Sequence, residues 1–238
     1  MQKSSSLMPK GIALVKLLLL SLCLSATAVS FACSSLSLNQ LSDLDKERIS
    51  YFKDIALGFE FSDSETITRK WASDMTIYVS GKAKKEVRKE LDSIITELNT
   101  LISDDLTVKL VKNQGKANFH IFFGSGSAYA KLYPEASNLF QDNWGLFFVY
   151  WDAKQYFYRG HMYVDTERAS ITEQRHLLRE ELTQSLGLAK DSFTYPDSIF
   201  QQDWTRTTRY AAIDRDIIRL LYHPSLDVGL MPANWTVF

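Results

Sequence analysis

The chain has 238 residues, of which 45% are hydrophobic and 23% are charged, and its formal net charge is −1. This composition is typical of a folded domain with its own hydrophobic core, and the even charge balance argues against nucleic acid as a partner. If the first 32 residues are removed as an export signal, as argued below, roughly two hundred residues remain. That length suits one α+β domain better than two small ones.

The N-terminal segment has the layout of a cleavable export signal. Lysines flank an apolar stretch over residues 12–24, and small residues follow as far as Ala32. The stretch is interrupted by Lys16 and is shorter than the roughly 20 apolar residues that span a bilayer, so export is favoured over a retained anchor. We predict a secretory signal over residues 1–32. Its removal takes three lysines and no acid away, and the net charge falls from −1 to −4.

Both cysteines lie within the first 33 residues, so the predicted domain cannot be a disulfide scaffold. Cys33 resembles the lipid-modified cysteine of bacterial lipoproteins, while ordinary cleavage near Ala28 or Ala32 is the alternative. The pattern predicts a periplasmic protein or an outer-membrane lipoprotein, which meets the membrane only through a lipid at Cys33. Residues 33–50 would form a tether and the start of a helix, and residues 51–238 the domain.

The spacing of apolar residues predicts a mixed sheet covered by helices. Helices are predicted over residues 43–57, 82–102, 171–187 and 208–222. Strands are predicted over residues 75–79, 106–111, 118–123, 144–151 and 156–164. The segment 82–102 gives the clearest pattern, that of a long amphipathic helix with one charged face.

The helix predicted over residues 171–187 carries the best candidates for chemistry. Ser170 and Glu173 form a Ser-x-x-Glu capping box that fixes its start. Glu180 and Gln184 are four residues apart, so their side chains can converge, and Glu181 projects beside them. The flank next to them is an apolar stripe formed by Ile171, Leu178, Leu182 and Leu186.

That spacing is the spacing of a metal site. In HExxH helices, two histidines four residues apart hold zinc, and the glutamate after the first histidine is the general base. Residues 180–184 read EELTQ and are followed by LGL, so Glu181 keeps the position of the base while Glu180 and Gln184 replace the histidines. His176 also lies four residues before Glu180, although we expect it to point away from Glu181.

The chain resembles a family of uncharacterised proteobacterial proteins known as domain of unknown function 2927. Many members look like lipoproteins, and the fold looks like that of the zincin metalloproteases. The resemblance rests on five segments that span nearly the whole mature chain: residues 58–63, 69–71, 179–188, 197–200 and 214–224. It implies a zincin-like mixed sheet with a long backing helix, an active-site-type helix and a C-terminal helix. It implies no function.

Compared with true zincins, the chain departs at the metal ligands. Lys190, beside Asp191, stands at the usual position of the third ligand, and Phe200 replaces the methionine of the turn that follows. An oxygen-only set of Glu180, Gln184 and Asp191 would suit calcium, magnesium or manganese better than zinc. The cofactor is therefore open: a divalent metal fits the pattern, and tight zinc binding is not expected.

Two hypotheses follow from these residues. One is a non-catalytic cell-envelope protein that holds a peptide, a glycan or a partner protein in the cleft of a zincin-like fold, with Trp151, Tyr158 and His161 as binding residues. The aromatic residues Trp144 and Phe148 could line the same surface. The other is a divergent metallo-hydrolase in which Glu181 activates water and a peptide lies along the strand at residues 156–164. Aromatic residues that alternate along strands are usually part of the hydrophobic core, so these aromatic side chains could be buried instead of forming a binding surface.

A structural interpretation also exists for the acidic pair on the helix. Glu180 and Glu181 could form a solvated helix face, paired with Arg175 or Arg179. A lone histidine such as His161 is likewise more often a satisfied structural residue than a ligand.

Overall fold

The computed structural model describes residues 42–59 and 66–231. The predicted export signal and Cys33 lie outside this part of the chain. Within it, no helix is both long enough and apolar enough to cross a membrane.

All four predicted helices are present, with ends shifted by a few residues. They are α1 (Asp43–Ala56), α2 (Lys85–Leu101), α4 (Ile171–Gln184) and α5 (Ala212–Leu221). The sequence did not predict α3 (Gly126–Leu132), because its Gly-Ser-Gly-Ser start has the composition of a turn. Ser125 is instead the N-cap, and its side chain accepts a hydrogen bond from the backbone N–H of Ala128.

The strands form one mixed sheet. They are β1 (Lys70–Trp71), β2 (Met75–Gly81), β3 (Val108–Leu110), β4 (Phe119–Gly124), β5 (Gly145–Trp151) and β6 (Tyr156–Asp165). The order is β1-β6-β4-β2-β3, all parallel, and β5 pairs antiparallel with β6. The sequence missed β1, because two buried residues carry no periodicity. The α+β class, the long backing helix α2, the site helix α4 and the C-terminal helix α5 are confirmed.

The predicted position of the edge strand is wrong. We expected a peptide to lie along residues 156–164, yet β6 is an interior strand that pairs with β1, β4 and β5. In the described part of the chain, β5 pairs only with β6, so β5 ends the sheet on this side. The second half of β6, from Gly160 to Asp165, is buried at every residue, as expected where both faces of a strand are covered.

The two faces of the sheet have different coverings. Helices α1, α2, α4 and α5 contribute to the main core, together with Ile77, Ile121 and Met162 from the strands. The other face is covered by α3 and the segment that follows it, where Tyr129 and Tyr163 belong to a second, smaller apolar cluster. Because side chains alternate along each strand, neighbouring residues of β6 belong to opposite faces.

An ion-pair network fixes α4 against α2. Arg179 donates to Glu90 at 2.7 Å and to Glu97 at 2.9 Å, and Arg175 also donates to Glu90, at 2.8 Å. Arg215 of α5 binds Glu97 at 2.7 Å. The Arg179 and Glu90 side chains are only 3% and 5% exposed. The two arginines of α4 therefore pair with α2, and the acidic flank of α4 faces elsewhere.

A buried carboxylate fixes the loop that follows α4. Asp214 accepts hydrogen bonds from the Ser198 hydroxyl at 2.6 Å and from the backbone N–H groups of Ile199 and Ala211. Burial raises the pKa of Asp214, while these hydrogen bonds oppose that rise. Residues 197–200 and Asp214 belong to two of the segments that carry the family resemblance, and both have a structural role here.

Candidate binding cleft

A cleft of about 850 Å³ lies between α4 and β5, and we call it the α4–β5 cleft. One wall is the flank of α4 that carries His176, Glu180, Glu181 and Gln184, and the opposite wall is β5. The loop after α4 adds residues from Ala189 to Trp204. The flank of α4 that the sequence pattern singled out therefore lines this cleft.

Glu181 lies directly against the first residue of β5. A Cβ atom placed on Gly145 would be 2.5 Å from Oε1 of Glu181, which is closer than real atoms approach. Any larger residue at position 145 would therefore require the Glu181 side chain to move from its place beside the strand. Glu181 is 8% exposed, so its side chain is held between the helix and the strand, at the edge of the cleft.

His176 and Glu180 form a pair one turn apart on α4. Nε2 of His176 lies 3.3 Å from Oε2 of Glu180, and Nδ1–H of His176 donates to the Thr207 carbonyl at 2.7 Å. Burial lowers the pKa of His176, but the hydrogen bond and the charge of Glu180 outweigh it, so the pKa is raised. The expectation that His176 points away from the site is wrong, because it lines the same cleft and packs edge-on against Trp204.

The predicted oxygen ligands all line the cleft but have different partners. Nε2 of Gln184 donates to Oδ1 of Asp191 at 2.6 Å, while Glu180 pairs with His176. Gln184 thus turns its amide nitrogen, not an oxygen ligand, toward Asp191. No group of three or more His, Cys, Asp and Glu residues in the described part of the chain could hold a metal ion. The residues present do not fit the zinc site of a metalloprotease.

Aromatic rings line both ends of the cleft. At one end, Trp144 packs edge-on against Trp204, with ring centroids 5.6 Å apart. At the other end, Trp151 stacks on Phe59 at 5.3 Å, and the Arg69 guanidinium lies 4.5 Å from the Trp151 ring centroid. Trp151 therefore lines the cleft as predicted, and its partners explain why it is only partly exposed.

His161 and Tyr158, predicted as binding residues of this site, do not line the cleft. His161 is buried on the opposite face of the sheet, where Tyr133 stacks on it at 3.6 Å and Tyr129 binds its Nδ1 at 2.6 Å. Burial lowers the pKa of His161 to about 4 despite the nearby Glu135. Tyr158 is 55% exposed on β6. The error has a simple cause, since these assignments assumed that β6 forms the edge of the cleft.

Sequence analysis missed two contributors to the cleft, Gly145 and Trp204, whereas Trp144 and Phe148 line it as the aromatic pattern indicated. Gly145 belongs to a strand that we predicted correctly, but nothing local indicated that this strand ends the sheet. Trp204 lies in a loop, and no periodicity marks it. An exposed tryptophan close to a predicted site helix is a usable signal, since large apolar side chains on loops are enriched where proteins bind.

The fold and the cleft together define the class: an α+β domain with a cleft between a helix and the antiparallel strand that ends its sheet. The chain belongs to the family described as "Protein of unknown function (DUF2927)", whose model matches residues 45–236. No curated protein matches the chain.

Two solved structures resemble the fold. "Structure of Myroilysin" has 12% sequence identity and a TM-score of 0.40, and the match covers 66% of this chain and 83% of that one. "Crystal structure of myroilysin" has 13% identity and a TM-score of 0.41, with 71% and 95% covered.

Proposed function

We propose that this protein is an exported cell-envelope protein that holds an extended peptide segment of a partner in the α4–β5 cleft, without ordinary zinc-protease activity. The observation that carries the proposal is the position of β5. This strand ends the sheet and forms one wall of a large cleft. A strand in that position offers backbone donors and acceptors to a further strand.

The dimensions support an extended ligand. β5 has seven residues, so its length is about 23 Å at the usual rise per residue. The aromatic pairs at the two ends, Trp144 with Trp204 and Phe59 with Trp151, would contact side chains near the two ends of such a segment. A glycan could also stack on these rings, but it would make no use of the strand.

The proposed absence of ordinary zinc-protease activity rests on the side-chain partners in the cleft. His176, Glu180, Gln184 and Asp191 pair with one another or with neighbouring groups rather than converging on one point. General-base catalysis alone typically contributes only about 10² to 10⁴-fold. The remaining carboxylate chemistry would therefore hydrolyse peptides slowly.

Binding of a fluorescein-labelled peptide of seven alternating valines and threonines would test the proposal. We expect saturable binding that is lost when alternate backbone nitrogens are methylated, because methylation removes the donors that a strand needs. A linear N-acetylglucosamine hexamer serves as the glycan competitor. Displacement by the glycan, or equal binding of the methylated peptide, would overturn the proposal.

Two loop variants add a matched control on the protein side. Trp204 is 54% exposed and lines the cleft, whereas Phe193, on the same loop, is 65% exposed and does not line it. Trp204→Ala should weaken peptide binding by about tenfold, the effect of losing an aromatic anchor. Phe193→Ala should leave binding unchanged.

A hydrolase is the second candidate, and the position of Glu181 favours it. This carboxylate is held against β5, beside the place where the backbone of a bound segment would lie. Incubating the protein with the same peptide and analysing it by mass spectrometry would show cleavage. Cleavage that Glu181→Gln abolishes would establish the hydrolase, whereas an intact peptide would leave binding as the function.

Export and lipid attachment form a separate part of the proposal. They rest on the N-terminal pattern and on Cys33. Labelling cells with a radioactive fatty acid should label the wild-type protein and not a Cys33→Ser variant. An unlabelled wild-type protein would exclude the lipid anchor without affecting the cleft.

A further inference from the structure

We infer that the segment bound in the α4–β5 cleft carries a basic side chain, Lys or Arg, at the end of the cleft formed by Trp144 and Trp204. This inference rests on the proposed peptide-binding function and specifies its ligand. It starts from the charges that line the cleft. Among residues 42–59 and 66–231, no Lys or Arg lines the cleft, and six carboxylates do: Asp142, Glu173, Glu180, Glu181, Asp191 and Asp203.

Most of these carboxylates lie near one end. Asp142 precedes Trp144 by two residues, and Asp203 is adjacent to Trp204 in the sequence. Glu181 lies against Gly145, the residue after Trp144. Glu180 pairs with His176, whose ring packs on Trp204. Four acidic side chains therefore belong to the segments that build the Trp144–Trp204 end.

The protein's own cations neutralise this end only in part. Arg206 binds Glu173 at 3.1 Å, and Arg168 lies 5.9 Å from the Trp144 ring while it binds Asp165. Arg175 and Arg179 pair with Glu90 of α2. Asp142 and Asp203 lie on the exposed rim, where a ligand can reach them without a large desolvation penalty.

The aromatic rings favour the same ligand chemistry. A Lys or Arg head group is attracted to the face of a tryptophan ring, and Trp204 is 54% exposed. Carboxylates next to an indole therefore form a site for a cationic side chain with an apolar stem. An acidic segment would bring further negative charge next to the exposed Asp142 and Asp203, so the charge of the cleft selects against it.

Matched peptides isolate the charge. Seven versions of the valine–threonine peptide are made, each with arginine at a different position. Each is compared with a peptide that carries citrulline at the same position, because citrulline is neutral and has nearly the same shape as arginine. We expect arginine near one end to bind at least about tenfold tighter than citrulline, the usual effect of a charged hydrogen bond. Citrulline and arginine binding equally at every position would overturn the inference and leave peptide binding intact.

Variants test whether the named carboxylates are responsible. Asp203→Asn and Glu180→Gln should each reduce the ratio between arginine and citrulline. Glu86→Gln, which removes an exposed charge from α2 outside the cleft, should leave that ratio unchanged. Asp203 is exposed, so its variant stays informative if Glu180→Gln does not fold. A ratio that none of the cleft variants changes would overturn the inference.

Two further measurements distinguish failure of this inference from failure of the proposed function. If arginine amide alone competes as well as the peptide, the site recognises a small cation and not a basic segment, and the inference is overturned. If no peptide of any charge binds, the proposed function itself fails. Binding of the neutral peptide with the charge preference absent removes only the further inference.

Discussion

Gly145 and Glu181 are in contact at the edge of the α4–β5 cleft, so closely that a Cβ atom at residue 145 would overlap the Glu181 side chain. A Cβ at residue 145 would lie 2.5 Å from Oε1 of Glu181 and 2.9 Å from its Cγ. The first residue of the terminal strand and the central carboxylate of the site helix are thus fitted to each other. Each wall of the cleft limits what the other can contain.

This relationship predicts a specific epistasis. Gly145→Ala should destabilise the protein by about 1–3 kcal/mol, because the added methyl must displace the Glu181 side chain. In a Glu181→Ala background the same substitution should cost much less, since the group that it meets is gone. The free energies of unfolding in urea of wild type, Gly145→Ala, Glu181→Ala and the double variant give the coupling energy between the two positions. Equal costs in both backgrounds would show that Glu181 does not occupy this position.

The pair of His176 and Glu180 predicts a pH dependence. The pKa of His176 is raised above its ordinary value of 6.5, because the effect of Glu180 exceeds that of burial. A raised pKa in the folded state means that the pair contributes its full stability below about pH 6.5. That contribution is lost as the pH rises through the folded-state pKa.

Unfolding free energies of wild type and Glu180→Gln between pH 5 and pH 9 would measure the effect. The difference between the two proteins should be largest at the acid end of the range and should shrink as the pH rises. A difference that is constant with pH, or that grows toward alkaline pH, would contradict the pairing.

The ion-pair network behind α4 predicts a large cost for removing one partner. Glu90→Gln should destabilise the fold by about 3 kcal/mol, because the buried Arg179 would lose the carboxylate that it binds at 2.7 Å. Replacing both partners, as Glu90→Gln with Arg179→Met, should recover part of that loss. The exposed Glu86→Gln on the same helix is the control and should leave unfolding unchanged. A double variant no better than Glu90→Gln alone would count against a charge penalty.

Metal ions should have little effect on stability. Gln184 donates its amide to Asp191, and Glu180 faces His176, so a metal would have to break both contacts before binding. We expect melting temperatures of the EDTA-treated protein to be unchanged by stoichiometric zinc, calcium, magnesium or manganese. A stabilisation that disappears in Gln184→Ala would contradict this and would establish a metal site at the flank of α4.

The sequence alone determined the four longer helices and the composition of the site helix. Ser170 and Glu173 fix the start of α4 through local hydrogen bonds, and its apolar stripe fixes which side faces the core. Once that side is buried, the helical repeat leaves Glu180, Glu181 and Gln184 on a common flank. These features depend on residues a few positions apart, which is why they can be predicted without knowing the fold.

Only the tertiary structure decided what that flank faces. Strand order depends on pairings between residues far apart in the chain, and β5 and β6 have similar aromatic, apolar sequences. Nothing local distinguishes the terminal strand from the interior one. Because β5 and not β6 ends the sheet, Gly145 lies beside Glu181, and His161 and Tyr158 do not line the cleft. The position of a strand in the sheet determines the surroundings of all its side chains.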